Sequence, residues 1–124
     1  MKRFSQIKED FSNALQRLDE AVLEAESILE IDGVIQRFEF TFELFWKLLK
    51  VYLEKEGIIA KTPRSCLKEA YKISLIKDEE LWLKMLEDRN YSVHIYDQNE
   101  SREIYERIKG KYVNAFRDAF SIIN

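Results

Sequence analysis

Arg89, Asn90, His94, Tyr96 and Asp97 fall within nine consecutive residues, in the stretch EDRNYSVHIYD, and His94 is the only histidine in the chain. An imidazole with a pKa of about 6.5 can accept and return a proton at neutral pH. A guanidinium can hold a phosphate through two parallel N–H bonds and stabilise charge that develops on it. Neither step calls for a metal, and one histidine among scattered carboxylates does not make a metal-ligand set. The chain contains no Gly-rich phosphate loop and no legible Ser-His-Asp arrangement.

Spacing alone does not bring these groups together. On a regular helix Asn90 and His94, four apart, share a face, and Arg89 and Tyr96, seven apart, share another. Arg89 and His94 are five apart, about 140° around the axis. For both to serve one site, the helix must bend here, or a two-fold axis must set the same segment of a second chain opposite. A plainer reading also fits the residues. His94 can favour a helix C-terminal dipole, Arg89 can pair with Glu87 or Asp88, and Tyr96 can cover the end of a bundle.

The elements that must position this segment read as helices. Three Gly and one Pro in 124 residues are too few turn-formers for an architecture of many short strands. Phe4, Ile7, Phe11, Ala14, Leu18, Ala21, Ala25 and Ile28 advance by threes and fours and predict a first helix, broken at Ile31–Gly33. The second helix, VIQRFEFTFELFWKLLKVYLEKEG, is apolar on two faces. Phe38, Phe42, Phe45, Trp46, Leu49, Tyr52 and Leu53 fill one broad sector, while Phe40, Leu44, Leu48 and Val51 lie well outside it. Only Glu39, Glu43, Lys47 and Lys50 form a polar strip. The second apolar set predicts a dimer interface of Phe40, Leu44, Leu48 and Val51, with a crowded monomer core as the alternative. Gly57 offers a stop, Thr62 an N-cap with Pro63 at the first helical position, Asp78 the cap of the next helix, and Asn99 a candidate cap for the last. That last helix carries Ile104, Ile108, Tyr112, Ala115, Phe116, Ala119, Phe120 and Ile123. The expectation is an all-α, up-and-down four-helix bundle over 1–124, one domain, with a short helix between the second and third long ones.

Composition narrows the function. Hydrophobic residues make up 46% of the chain, enough for a folded core. A net charge of −3 and a pI near 5.3 disfavour general binding to nucleic acid or to anionic membrane surfaces. Cys66 stands alone, which rules out an intrachain disulfide, points to a reducing, cytoplasmic setting, and suits a small buried residue. MKRFSQIKED becomes charged before any apolar run of signal length, and no long uncharged run follows, so no membrane association is expected.

Three segments, RFEFTFELFWKLLKVYLEKEG, PRSCLKEAYKISLI and WLKMLEDRNYSVHIYD, resemble in the same order the nucleotidyltransferase substrate-binding proteins. These are a branch of the HEPN superfamily (higher eukaryotes and prokaryotes nucleotide-binding). The superfamily signature is an Arg, four residues of which the first is polar, then a His; the toxin-like branch adds a Tyr two residues on. Here Arg89, Asn90-Tyr91-Ser92-Val93, His94, Ile95 and Tyr96 match it without departure.

The resemblance implies a four-helix bundle that dimerises with Arg89 and His94 at the subunit boundary. It also implies a partner, a minimal nucleotidyltransferase encoded nearby. In such families some members are metal-independent ribonuclease toxins, silenced when the partner transfers AMP to the motif tyrosine, and others are substrate-binding subunits. The expected function is the substrate-binding or partner subunit, with Tyr96 as the modified residue of a toxin–antitoxin pair. The alternative is an endoribonuclease in which His94 takes the 2′-OH proton of RNA, Arg89 holds the phosphate and Asn90 supports them. No cofactor is called for, and a nucleotide is the small-molecule ligand such a protein would take.

Overall fold

The computed structural model describes residues 2–92 and 97–124. Helix α1 spans Lys2–Glu24, α2 Ile28–Lys55, α3 Pro63–Lys72, α4 Glu79–Tyr91, α5 Gln98–Arg107 and α6 Val113–Ile123; a π-helical turn, Ile108–Tyr112, joins α5 to α6. The all-α bundle is as expected: α1, α2, α4 and the α5–α6 rod are its long members, and α3 is the short insertion. No strand occurs among the described residues, and no helix there is long and apolar enough to cross a membrane.

Capping chemistry sets several of the helix ends. Thr62 and Asp78 cap α3 and α4, their side chains accepting from the backbone N–H of Ser65 and Leu81 at 3.1 Å each. At the end of α2, Gly57 takes φ +80°. There Ile58 N–H bonds to the Leu53 carbonyl at 2.8 Å and Gly57 N–H to that of Glu54 at 3.0 Å, a Schellman closure that the left-handed glycine permits.

Two boundaries differ from the sequence reading. The α1–α2 connection is at Ala25–Ser27 and not at Ile31–Gly33. Ser27 is extended and forms a capping box: its hydroxyl accepts from Glu30 N–H at 3.1 Å, and the Glu30 carboxylate accepts from Ser27 N–H at 2.9 Å and Glu26 N–H at 3.2 Å. These bonds outweigh Gly33, which costs a helix interior only about 1 kcal/mol, so α2 runs through it and Ile28 belongs to α2. The cap of α5 is Asp97, not Asn99; its carboxylate accepts from Asn99 N–H at 2.7 Å.

α2 is the central element, packed against α1, α3, α4 and α5, while α6 closes onto α1. An aromatic cluster ties the layers: Phe45 stacks on Trp82 of α4 at 4.6 Å, Phe11 of α1 lies 5.2 Å from Phe45 and 5.6 Å from Phe116 of α6, and Phe38 stacks on Tyr112 at 5.4 Å. Thr41, fully buried on α2, donates to the Arg37 carbonyl at 2.7 Å, so its hydroxyl is satisfied inside its own helix.

This crowding corrects half of the expected interface. Leu48 and Val51 are fully buried by the chain's own helices and have no surface to offer a second subunit. A helix covered on several sides by its own bundle needs no external partner for its second apolar face. Phe40 remains 62% exposed, and Leu44 is half-buried beside it above a shallow groove that also takes in Asn13 and Arg17 of α1.

The π turn is the other feature that positions residues. Ile104, Ile108, Tyr112 and Phe116 follow one another in three steps of four, each overrunning the α-helical period by about 40°. Inserting one residue into the turn absorbs that drift, so all four side chains are buried along one rod.

Candidate functional site

Arg89 lies in the last turn of α4 and reaches across to α2. Its Nη2 donates to Glu43 Oε2 at 2.6 Å, and its Nη1 donates to Asn90 Oδ1 at 3.1 Å. Both partners of the ion pair are about one-third exposed, 32% and 33% for the side chains. One helical turn along α2, Glu39 accepts from the Ser92 hydroxyl at 2.6 Å; that hydroxyl is also 2.8 Å from the Arg89 carbonyl. The strip Glu39–Glu43 therefore forms the edge against which the end of α4 is seated. Arg89 pairs with neither Glu87 nor Asp88, the partners that proximity in sequence offered.

Asp88, one residue earlier, points into the bundle and is 3% exposed. Arg107 of α5 grips it through Nε at 2.7 Å and Nη2 at 3.0 Å, and the Tyr112 hydroxyl, set in place by the π turn, donates to the same carboxylate. Lys84 Nζ stands 3.5 Å from Oδ1. Burial, with the carboxylate it donates to, pushes the Tyr112 phenol well above its ordinary pKa; the Asp88 hydrogen bonds likewise raise Arg107. This clamp holds α4 to α5 in rotation, and so holds the adjacent Arg89 toward α2.

His94 and Tyr96 lie outside the described residues. On either side of them, Ser92 and Asp97 line a cleft of 260 Å³ between α2 and the start of α5, with Asp32, Gln36 and Glu39 on its α2 wall. Within the same stretch, Tyr91 donates to Glu100 at 3.0 Å, and this bond raises its pKa. Among the described residues no group of His, Cys, Asp and Glu could hold a metal ion. Cys66 is buried 3.6 Å from the Ala60 carbonyl, and burial pushes its thiol up to about 11, which makes it a packing residue and a poor nucleophile.

Chemically, Arg89 is an anion-binding group held in place by a carboxylate. Two of its five N–H donors are taken by Glu43 and Asn90 among the described residues, and a partly exposed pair of this kind is worth at most about 1 kcal/mol. A phosphate approaching bidentately could therefore take over the guanidinium. Glu39 and Glu43 are the site residues that pattern reading passed over as a solvent strip. The available signal was their four-residue spacing on an otherwise apolar helix.

The sequence and the fold are both similar to those of known proteins. A Haemophilus influenzae protein named "Probable ribonuclease HepT" is 35% identical over 83 residues, a match covering 63% of this chain and 57% of that protein's length. A Thermus thermophilus protein of known crystal structure is 37% identical, with a TM-score of 0.83, over 90% of this chain and 96% of its own. A Haemophilus influenzae structure superposes at a TM-score of 0.83 and 25% identity, over 94% of this chain and 99% of that one. It is described as revealing the fold of a substrate binding domain of a nucleotidyltransferase. The family described as nucleotidyltransferase substrate binding protein like matches residues 6–122, and the chain belongs to it.

Proposed function

We propose that this chain is the substrate-binding partner subunit of a two-protein nucleotidyltransferase, working in the cytoplasm as a single helical-bundle domain beside a separate minimal nucleotidyltransferase. The observation that carries this reading is the setting of Arg89. It is held at an accessible edge, yet Glu39 and Glu43 beside it and Asp32 and Asp97 in the adjoining cleft make that edge acidic. Such a surface suits a protein partner or one compact phosphate group better than a long polyanion. In this reading the partner joins AMP from ATP to the Tyr96 hydroxyl, breaking the α–β phosphoanhydride bond with loss of the phenolic proton and release of pyrophosphate. The charge of the new phosphodiester then competes for Arg89 and switches the site off, as in a toxin–antitoxin pair. The subunit works as a homodimer that uses Phe40 and Leu44.

The second reading is a metal-independent endoribonuclease in which His94 is the base, Arg89 the phosphate ligand and Asn90 a supporting group. The name of the 35% identical Haemophilus influenzae relative favours it. One experiment separates the two. After incubation with the partner and ATP, mass spectrometry is expected to show AMP on Tyr96, absent in Tyr96→Phe. If the ribonuclease reading holds, unmodified protein cleaves RNA in EDTA and His94→Ala abolishes cleavage without unfolding the bundle. Neither modification nor cleavage would leave a binding subunit alone.

A further inference from the structure

The tip formed by the end of α1 and the start of α2 is unlike the rest of the surface. Leu23 is 77% exposed, Leu29 81% and Ile28 39%. From Leu18 to Gln36 the chain carries Asp19, Glu20, Glu24, Glu26, Glu30 and Asp32 and no Lys, Arg or His. Glu20, Glu24, Glu26, Glu30 and Asp32 are exposed, and none of them forms an ion pair among the described residues.

The tip is also fixed in shape. The Ser27–Glu30 capping box sets the turn, and the Tyr105 hydroxyl of α5 donates to the Val22 carbonyl at 3.2 Å, tying the last turn of α1 to the bundle. Two large aliphatic side chains held in water on a rigid turn point to a surface that is covered in use. Ile28 continues the tip directly into the cleft lined by Asp32, Glu39, Ser92 and Asp97, so tip and candidate site form one surface.

Charge selects the occupant. RNA and anionic lipid are repelled by this concentration of carboxylates, and a second copy of the chain would set acid against acid. We infer that the α1–α2 tip docks the nucleotidyltransferase subunit, on a partner face that sets Lys and Arg side chains around an apolar pocket for Leu23 and Leu29. This rests on the partner reading above and adds to it the surface and the chemistry of recognition. Docking there sets the partner beside the cleft and beside Ser92 and Asp97, which line it.

The test uses the full chain co-expressed with the nucleotidyltransferase encoded in the adjacent reading frame, with binding measured by calorimetry and stoichiometry by light scattering. Leu23→Ser with Leu29→Ser, and separately Glu24→Lys with Glu26→Lys, are each expected to weaken the complex at least roughly tenfold. Ile59→Ser, at a residue equally open (70%) but far along the chain at the other end of α2, is expected to leave it unchanged. Binding of the unaltered chain should fall as salt rises. Circular dichroism should show all variants folded, since the side chains are exposed. A complex that forms equally well with every variant overturns the tip and leaves the partner reading standing. A failure of the unaltered chain to bind at all overturns both. A homodimer that Leu23→Ser with Leu29→Ser converts to monomer, with the complex intact, assigns the tip to a second copy and overturns the inference.

Discussion

Asp88 and Arg89 are neighbours in sequence, both charged, and they have opposite lives. The Asp88 carboxylate is sealed in the bundle and held by Arg107 from two nitrogens and by the Tyr112 phenol. Arg89 sits at the rim, joined to Glu43 by one short contact and to Asn90 by another. Burial makes the first arrangement costly to break, because loss of Asp88 leaves the Tyr112 phenol away from water without its acceptor, and loss of a donor leaves the buried carboxylate short of partners. Exposure makes the second cheap to break, because water and salt stand ready to replace the partner. One residue of α4 fixes the helix, and the next is left available for exchange.

That contrast predicts a graded series. Asp88→Ala should destabilise the fold most, by about 3 kcal/mol in urea unfolding, since it leaves Arg107 and a buried phenol without their acceptor. Denaturation no easier than that of the parent chain would show that the clamp does not hold the helices.

Tyr112→Phe removes one hydrogen bond while keeping the ring stacked on Phe38, and should cost about 1–2 kcal/mol. It should also change the alkaline behaviour. The folded phenol titrates above its ordinary value of about 10, so its contribution is complete below that pH and is lost as pH rises toward the folded value. The parent chain should therefore lose stability above pH about 10 faster than Tyr112→Phe does; parallel pH profiles would place the phenol's titration elsewhere.

Glu43→Gln and Arg89→Ala should shift stability least, by under about 1 kcal/mol each. Arg89→Ala should nevertheless abolish transfer or cleavage, whichever the assay reads. Arg89→Lys is expected to recover only part of it, because a single ammonium cannot reproduce a two-pronged grip. If Arg89→Ala proved as destabilising as Asp88→Ala while activity survived, the division between the two residues would be wrong.

Much of this was legible in the sequence where a single residue carries its own local instruction. Thr62 with Pro63, Asp78 and Gly57 each satisfy or bend the backbone at their own position, and each behaves as read. The α1–α2 turn was misplaced because two local signals competed, and the reciprocal bonds of Ser27 and Glu30 decided against the glycine. Leu48 and Val51 were misassigned for a different reason. Periodicity reports that a face is apolar but not which neighbour covers it, and α2 is covered by several other helices of the chain. The pairing of Arg89 with Glu43 spans 46 residues and depends on how α4 is rotated against α2, information that no local window holds.

The π turn at Ile108–Tyr112 has a consequence for how this chain can vary in length. Removing one residue there, Gly110 for example, would let the rod from Gln98 to Ile123 become uninterrupted α-helix, a change that is locally favourable. It would leave everything after the deletion on nearly the same bearing as before, because the five-residue π turn rotates the chain about as far as four α-helical residues do, roughly 400°. Phe116, Ala119 and Ile123 would stay on the core while Tyr105 and Arg107 keep Val22 and Asp88. Relatives one residue shorter within Ile108–Tyr112 should therefore keep the fold with an unbroken rod, whereas a deletion in the regular helix of α5 or α6 would turn its two ends apart by about 100°. The exposed loop around Ser74 should admit either change.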